Sequence, residues 1–416
     1  MFCWAQAPQL TLEQAHALAL KNHPQVLASQ ANYLQAEQGV REAKSAYYPT
    51  LSGDVTGSQS NQNARIGAGS LTDSRLFNRF GYGITLSQLI TDSGRTSNLV
   101  ASAKFQAQAG QQAYRATRFD VLLAVDQAYY ETLLAQGLVK VAEQTVATRQ
   151  TVVDQVSELF RNQLKSQVDL SFAQVNLSDA KLMLIRARDR LAAANAGLAQ
   201  ALGTDRSVPY ELTEQPLPTA PPADPETFVT QALASRPEVA AARLETQADE
   251  KFAHAEQDLS RPTVSLAGVA GFLPYINPNS NPQIASKYEG VGVNVQIPVF
   301  NGHLFSARRQ AAEYRLEATR QRGRDLENRV ARDVRAAWGR ANTAYQTLDA
   351  TAQLVAQANL ALELAQGRYH LGLASIVELS QAQLGQTQAQ VENVNAKYAY
   401  QSAYSALEYT LGELQN

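Results

Sequence analysis

The 416-residue chain is 18% charged with a net charge of -2 and a pI near 6.3, so it carries no basic field for nucleic acid or an anionic membrane surface. Its only cysteine, Cys3, excludes an internal disulfide framework and a cysteine-built metal site, and no apolar run is long enough to cross a membrane as a helix. Ala, Gln and Leu dominate whole stretches, which favours long helices.

Residues 1–7 end in Ala5-Gln6-Ala7, a small-x-small cleavage pattern, and read as the remnant of a secretory signal; an ordinary disordered N-terminus is the alternative. Cys3 lacks the preceding small residues of a lipidation signal, so no lipid anchor is expected. A first repeat then spans 8–203. Its opening helix contains "NHPQV" at 22–26, where Pro24 marks a break or bend. The period next changes to two. Leu51, Val55 and Gly57 fall in a strand over about 50–60, and Tyr82, Ile84 and Leu86 alternate with Gly83, Thr85 and Ser87 over about 79–90, with a polar loop at 58–78 between them.

Residues 93–160 lack proline and would reach roughly 100 Å as one helix. After a break at "FRNQLKSQV", 160–168, a heptad seam runs Leu170, Ala173, Leu177, Ala180, Leu184, Ala187, Leu191, Ala194, Leu198, Ala201. The spacing predicts a long helical hairpin over 93–203 with its tip at the break. Six prolines within 204–225 make that segment a linker or a short irregular cap.

From 226 to 412 the chain repeats itself. An offset of 213 aligns Pro24 with Pro237, Val26 with Val239 and Glu37 with Glu250. An offset of 209 then aligns "GYGITLSQLI" at 81–90 with "GVGVNVQIPV" at 290–299, Tyr129 with Trp338 and "LG" at 202–203 with "LG" at 411–412. The second copy accordingly predicts a helix, strands over about 262–272 and 288–299 around the polar loop 273–286, and a helical hairpin over 303–412 whose tip is the break at 369–377. Its seam keeps Ala382, Ala389, Ala396 and Ala403, flanked by Leu384, Val391, Val394 and Tyr398. Seams on more than one side give each helix neighbours on both flanks, as in a sheet or cylinder of helices. Residues 413–416 are a tail.

Each strand pair is apolar on one face and small and polar on the other, and about ten residues per strand suit a tilted crossing of a bilayer. Four strands close no barrel, since about eight are needed, and open edges do not sit in lipid, so several chains would share one barrel. Two half-buried hairpins packed on helices are the alternative.

No catalysis is expected. The five histidines, His16, His23, His254, His303 and His370, fall at no metal-ligand spacing, "GYG" at 81–83 lies within a strand rather than opening a helix, and no nucleophile elbow or phosphate loop occurs. The arginines between Arg320 and Arg335 are interleaved with Asp325, Glu327 and Asp333, as on a solvated helix face. No cofactor is called for.

Helix, proline, two strands and long hairpin, all twice, resemble the TolC-type outer-membrane efflux channel family over residues 10–412. The carriers are "ALALKNHPQV" at 17–26, "YYPTLS" at 47–52, "QLITDSG" at 88–94, "LGTD" at 202–205, "QIPVFNG" at 296–302 and "RYHLGLASIVEL" at 368–379. The resemblance implies a mainly α, two-repeat chain that builds a homotrimer, with an α-barrel tunnel through the periplasm and a shared twelve-stranded β-barrel in outer-membrane lipid. The proline bends would lie around the tunnel's midsection. It also implies partners, a periplasmic adaptor (membrane fusion) protein and an inner-membrane pump of the RND, ABC or MFS type, with no nucleic acid.

By the same resemblance the hairpin tips form a periplasmic gate, with Tyr369 and Asp169 as a closing pair and Glu378 as a lumen carboxylate. Asn162, Gln163, Leu164, Leu371, Gly372 and Leu373 would be the tips on which the adaptor docks. Ala374 stands where a basic latch can occur and Gln381 where a second acid can occur, which implies a weaker gate. The first tip lacks the glycine of the second, so the two docking grooves are expected to differ. Carboxylates of three chains converging on an axis would attract cations; equally, Asp169 and Glu378 stand where acids cap helix N-termini. The function expected is a passive exit duct for efflux or type I secretion, and the alternative is a soluble coiled-coil scaffold whose hairpins mediate self-association.

Overall fold

A computed structural model of the chain describes residues 8–59, 79–205, 208–222, 224–276 and 286–412. The signal remnant at 1–7, the tail at 413–416 and most of the two strand loops lie outside the described residues. In chain order the elements are β1 (Gln9–Leu10), α1 (Leu12–Asn22), α2 (Pro24–Ser45), β2 (Thr50–Ser58), β3 (Arg79–Thr91), α3 (Arg95–Arg161), α4 (Gln167–Ala201), β4 (Glu211–Leu212), α5 (Pro225–Ser235), α6 (Pro237–Gln257), β5 (Thr263–Ile276), β6 (Lys287–Gln296), α7 (Leu304–His370) and α8 (Ile376–Leu411).

The opening helix of each copy is two helices. His23 and Arg236, the residues before the prolines, are extended at ψ 123° and 127°, and Pro24 and Pro237 begin the next helix, where the missing N–H has no role. Each break receives the end of a seam helix. Gly203, at φ +69°, lies so close to the first break that a Cβ there would stand 2.7 Å from His23 Cα. Gly412, at φ +73°, meets Ser235, whose hydroxyl donates to Leu411 O at 2.5 Å. Only glycine takes this backbone without strain, and at 203 only glycine fits. The repeated "LG" is therefore a repeated docking contact.

Packing divides the chain into two compact units, each of which takes segments from both copies. The first comprises Met1–Ala31, Gln111–Ala240 and Arg324–Asn416. One of its cores gathers Leu10, Ala15, Val125, Tyr129, Leu198, Leu202 and Leu212; a second gathers Val229, Val239, Val334, Ala341 and Leu407. Beside the first core, His16 Nε2 meets Asp126 Oδ1 at 2.5 Å, both buried. The α4 seam is buried from Leu170 to Ala201 except at Leu184 and Leu191, which are half-buried. In α8 the flanking seam is shorter than the spacing predicts. Leu384 is 62% exposed, because its neighbour Gln383 takes the inward position; Val391, Val394 and Tyr398 do reach the core.

The segment 204–225, irregular among its described residues before α5 except at Glu211–Leu212, is bonded to both copies. Glu211–Leu212 pairs in parallel with Gln9–Leu10, a strand too short for any period to reveal. Side chains of the first copy hold its first part: Tyr129 Oη lies 2.7 Å from Thr213 O, and Gln136 Nε2 donates to Tyr210 O at 3.0 Å. Side chains of the second copy hold the remainder. Lys397 meets Glu214 at 2.6 Å, Gln401 donates to Gln215 O, Tyr400 to Thr219 O and Trp338 to Pro222 O.

The second unit comprises Asn32–Gly110 and Ala241–Gly323 and holds a four-stranded antiparallel sheet in the order β2-β3-β5-β6. Register fixes its faces. Leu51, Leu86, Gly268 and Val291 lie in one row, and Val55, Tyr82 and Phe272 in another, so the predicted apolar residues of all four strands share one side. Leu51, Val55, Ile84, Val291 and Val293 are all more than half exposed on that side. The other face carries Thr85, whose hydroxyl donates to Asp54 at 3.2 Å, and Tyr288, which lies over Gly83 and Gly271 where side chains would collide with it. The predicted strand over 288–299 ends at Gln296, because Pro298 has no N–H for a ladder, whereas β5 runs four residues past 272. In the same unit the buried acids of α6 meet arginines of α7: Glu256 with Arg308 at 2.7 Å and Asp249 with Arg315 at 2.7 Å.

Candidate functional site: the two hairpin tips

Both tips belong to the first unit and close with one backbone device. In the second, Leu373 N–H donates to Arg368 O at 2.8 Å and Gly372 N–H to Tyr369 O at 3.1 Å; in the first, Leu164 N–H donates to Leu159 O at 2.8 Å and Gln163 N–H to Phe160 O at 2.9 Å. These are paired Schellman bonds around a left-handed residue, Gly372 at φ +73° and Gln163 at φ +61°. The missing glycine leaves the turn's geometry intact and places its strain on Gln163 instead. Asn162 Nδ2 satisfies Glu158 O at 2.8 Å. Leu164, Leu371 and Leu373 stand 69%, 75% and 68% exposed.

Each seam helix then starts on a serine. Ser166 Oγ accepts from Asp169 N–H at 3.2 Å while the Asp169 carboxylate accepts from Ser166 N–H at 3.0 Å and Oγ at 2.8 Å, a complete capping box. Ser375 Oγ accepts from Glu378 N–H at 3.3 Å, but the Glu378 carboxylate turns away to Arg368 Nε at 3.1 Å. The expected lumen carboxylate is thus half of an exposed ion pair. Both acids lie in the first turn of their helices, and Asp169 alone completes a capping box.

Tyr369 is 6% exposed, packed with Val156, Leu170, Ile376 and Leu379. Lys165 Nζ sits 4.3 Å over its ring. Burial first, and the Asp169 charge second, push its hydroxyl pKa up. That hydroxyl is buried without a hydrogen-bond partner. Tyr369 and Asp169 therefore do not form a bonded pair within one chain; the carboxylate bonds Ser166 through Oδ2. Ala374 packs beside this cluster and Gln381 is exposed. A groove between the tips is lined by Glu158, Leu159, Leu164, Lys165, Tyr369 and Gly372. Sequence reasoning missed Lys165 and Arg368, whose partners are set by the turns and not by any period.

Among the described residues no group of three or more His, Cys, Asp or Glu side chains is placed to hold a metal, and no helix is long and apolar enough to cross a membrane.

The family described as "Outer membrane efflux protein" matches residues 16–204 and 228–413. Outer membrane efflux protein BepC of Brucella suis is 26% identical over 404 residues, covering 97% of this chain and 86% of its own. Outer membrane protein TolC of Vibrio cholerae is 26% identical over 433 residues, covering 99% and 92%. The Campylobacter jejuni CmeC outer membrane channel has the same fold at a TM-score of 0.80 and 18% identity, covering 100% of this chain and 92% of its own.

Proposed function

The chain belongs to the outer membrane efflux protein family, and from that premise we propose that it is the exit duct of a tripartite efflux pump or type I secretion system, conducting cargo passively from the periplasm to the exterior. The sheet carries this reading. One face exposes apolar side chains along four strands, with Lys287 and Glu289 at the start of β6, the other is mostly small and polar apart from Val269 and Tyr288, and the edge strands β2 and β6 have no further partner among the described residues. Such a sheet suits lipid on one side and water on the other, with its edges satisfied by further copies; three would give twelve strands.

In a homotrimer of this kind the tips are the periplasmic entrance. Asp169, Tyr369 and Glu378 are its gate residues, and the exposed leucines Leu164, Leu371 and Leu373 are what a periplasmic adaptor grips, with an inner-membrane pump supplying the energy. The Tyr369 ring, packed at the tips with Lys165 4.3 Å over it, supports a role at the entrance.

Reconstitution in planar bilayers tests the reading. Stepwise conductance from detergent-extracted trimers is expected. A protein that stays soluble without detergent and conducts nothing returns the chain to the coiled-coil scaffold.

A further inference from the structure

Position 149 of α3 lies in the row that elsewhere buries Val141, Ala142, Thr145 and Val156, yet it carries an arginine. Arg149 is 7% exposed, and one of its terminal nitrogens is buried with no hydrogen-bond partner. Burial alone lowers its pKa, with no neighbouring acid offsetting it. Across the interface, Gln383 of α8 is 3% exposed and its amide nitrogen is also buried and unpartnered. Both side chains line one polar groove.

Two donors buried without partners in one groove leave a negative group to be supplied, since the other polar side chains that line it, Gln144, Thr148, Gln386 and Gln390, offer only neutral oxygens. A guanidinium stays charged under any ordinary condition, so burial does not neutralise it, and an uncompensated buried charge is among the costliest groups a fold can carry. The hydroxyls beside it bring no charge. Thr145 and Thr387 donate their protons to Val141 O at 2.8 Å and Gln383 O at 3.0 Å and keep only neutral oxygens to offer the guanidinium. Asp179 lines the adjoining groove but is exposed. The hairpin architecture does not require the cation, because the offset of 209 places the small, neutral Ala358 at the matching position of the second copy.

We propose that Arg149 and Gln383 form a binding site for a small carboxylate anion, which ties α3 to α8. The planar guanidinium and the neighbouring amide N–H match the two oxygens of a carboxylate. This inference does not depend on the duct reading.

The test is thermal unfolding of the purified full chain in detergent, titrated with sodium formate at constant ionic strength against sodium chloride, whose spherical anion lacks the paired oxygens of a carboxylate. A saturable rise in midpoint with formate is expected. Arg149→Met should abolish the rise. Gln383→Glu supplies an internal carboxylate, so it should raise the formate-free midpoint and remove the response while the fold is kept. Gln383→Leu should weaken formate about tenfold, the loss of one hydrogen bond to a charged group. A wild-type chain that does not respond, as when a neighbouring copy's carboxylate already fills the site, or an equal response in Arg149→Met, overturns the proposal.

Discussion

The Tyr369 ring lies beneath the Lys165 ammonium at 4.3 Å, while its hydroxyl is buried without a hydrogen-bond partner. The ring is therefore fastened within the chain and the hydroxyl is not. Tyr369→Phe removes no intrachain bond and takes away an unsatisfied buried hydroxyl, so it should stabilise the chain by about 1–3 kcal/mol. Combined with Asp169→Ala it should raise single-channel conductance. Unchanged conductance in the double variant would remove these residues from the gate.

Glu378 and Arg368 form an exposed pair, worth at most about 1 kcal/mol of stability. Its consequence lies in selectivity. Arg368→Gln should unmask the carboxylate and raise the cation-to-anion permeability ratio, and Glu378→Gln should lower it, each by roughly fivefold for an interaction of about 1 kcal/mol. Reversal potentials under a salt gradient give the ratio, and equal values in both variants would place Glu378 away from the ion path.

His16 and Asp126 are buried together at 2.5 Å. His16→Leu leaves Asp126 without its partner and should cost about 3–5 kcal/mol, whereas His16→Leu with Asp126→Leu should recover most of that loss. Denaturant unfolding of the four members of this cycle measures the coupling; additive losses would mean that the pair is not coupled.

The tips differ in where their strain sits. Gly372→Ala meets nothing within 4 Å, so its cost of about 1–2 kcal/mol is backbone strain alone, and Gln163→Gly should gain up to a similar amount. Hydrogen exchange of Leu373 and Leu164 N–H should quicken in the first variant and slow in the second. No change in either would contradict the shared turn.

Much of the architecture is legible because each element has a local signal. Period two exposes the strands, seven-residue spacing exposes α4, and proline marks the breaks at His23 and Arg236. What escapes reading depends on geometry between elements. Nothing local distinguishes Gln163 as left-handed, since the turn imposes it. Leu384 follows a plausible seam but faces out, because Gln383 is turned inward. The acids Asp249 and Glu256 look like ordinary helix-surface charges until α7 brings Arg315 and Arg308 against them. Of the candidate site, Asp169, Tyr369 and Glu378 could be named in advance, but not that Asp169 is held by Ser166 and Glu378 by Arg368.

The stitched segment between the copies also bears on the order in which the chain matures. Its first part, through Thr213, is held by Leu10, Tyr129 and Gln136, all of which precede it in sequence. From Glu214 onward it is held by residues that emerge later, Trp338, Lys397, Tyr400 and Gln401. A nascent chain paused after residue 213 thus already owns the partners that seal its amino-terminal half, and amino-terminal parts fold first during synthesis. The remainder of the strap gains its partners only once the second copy is present.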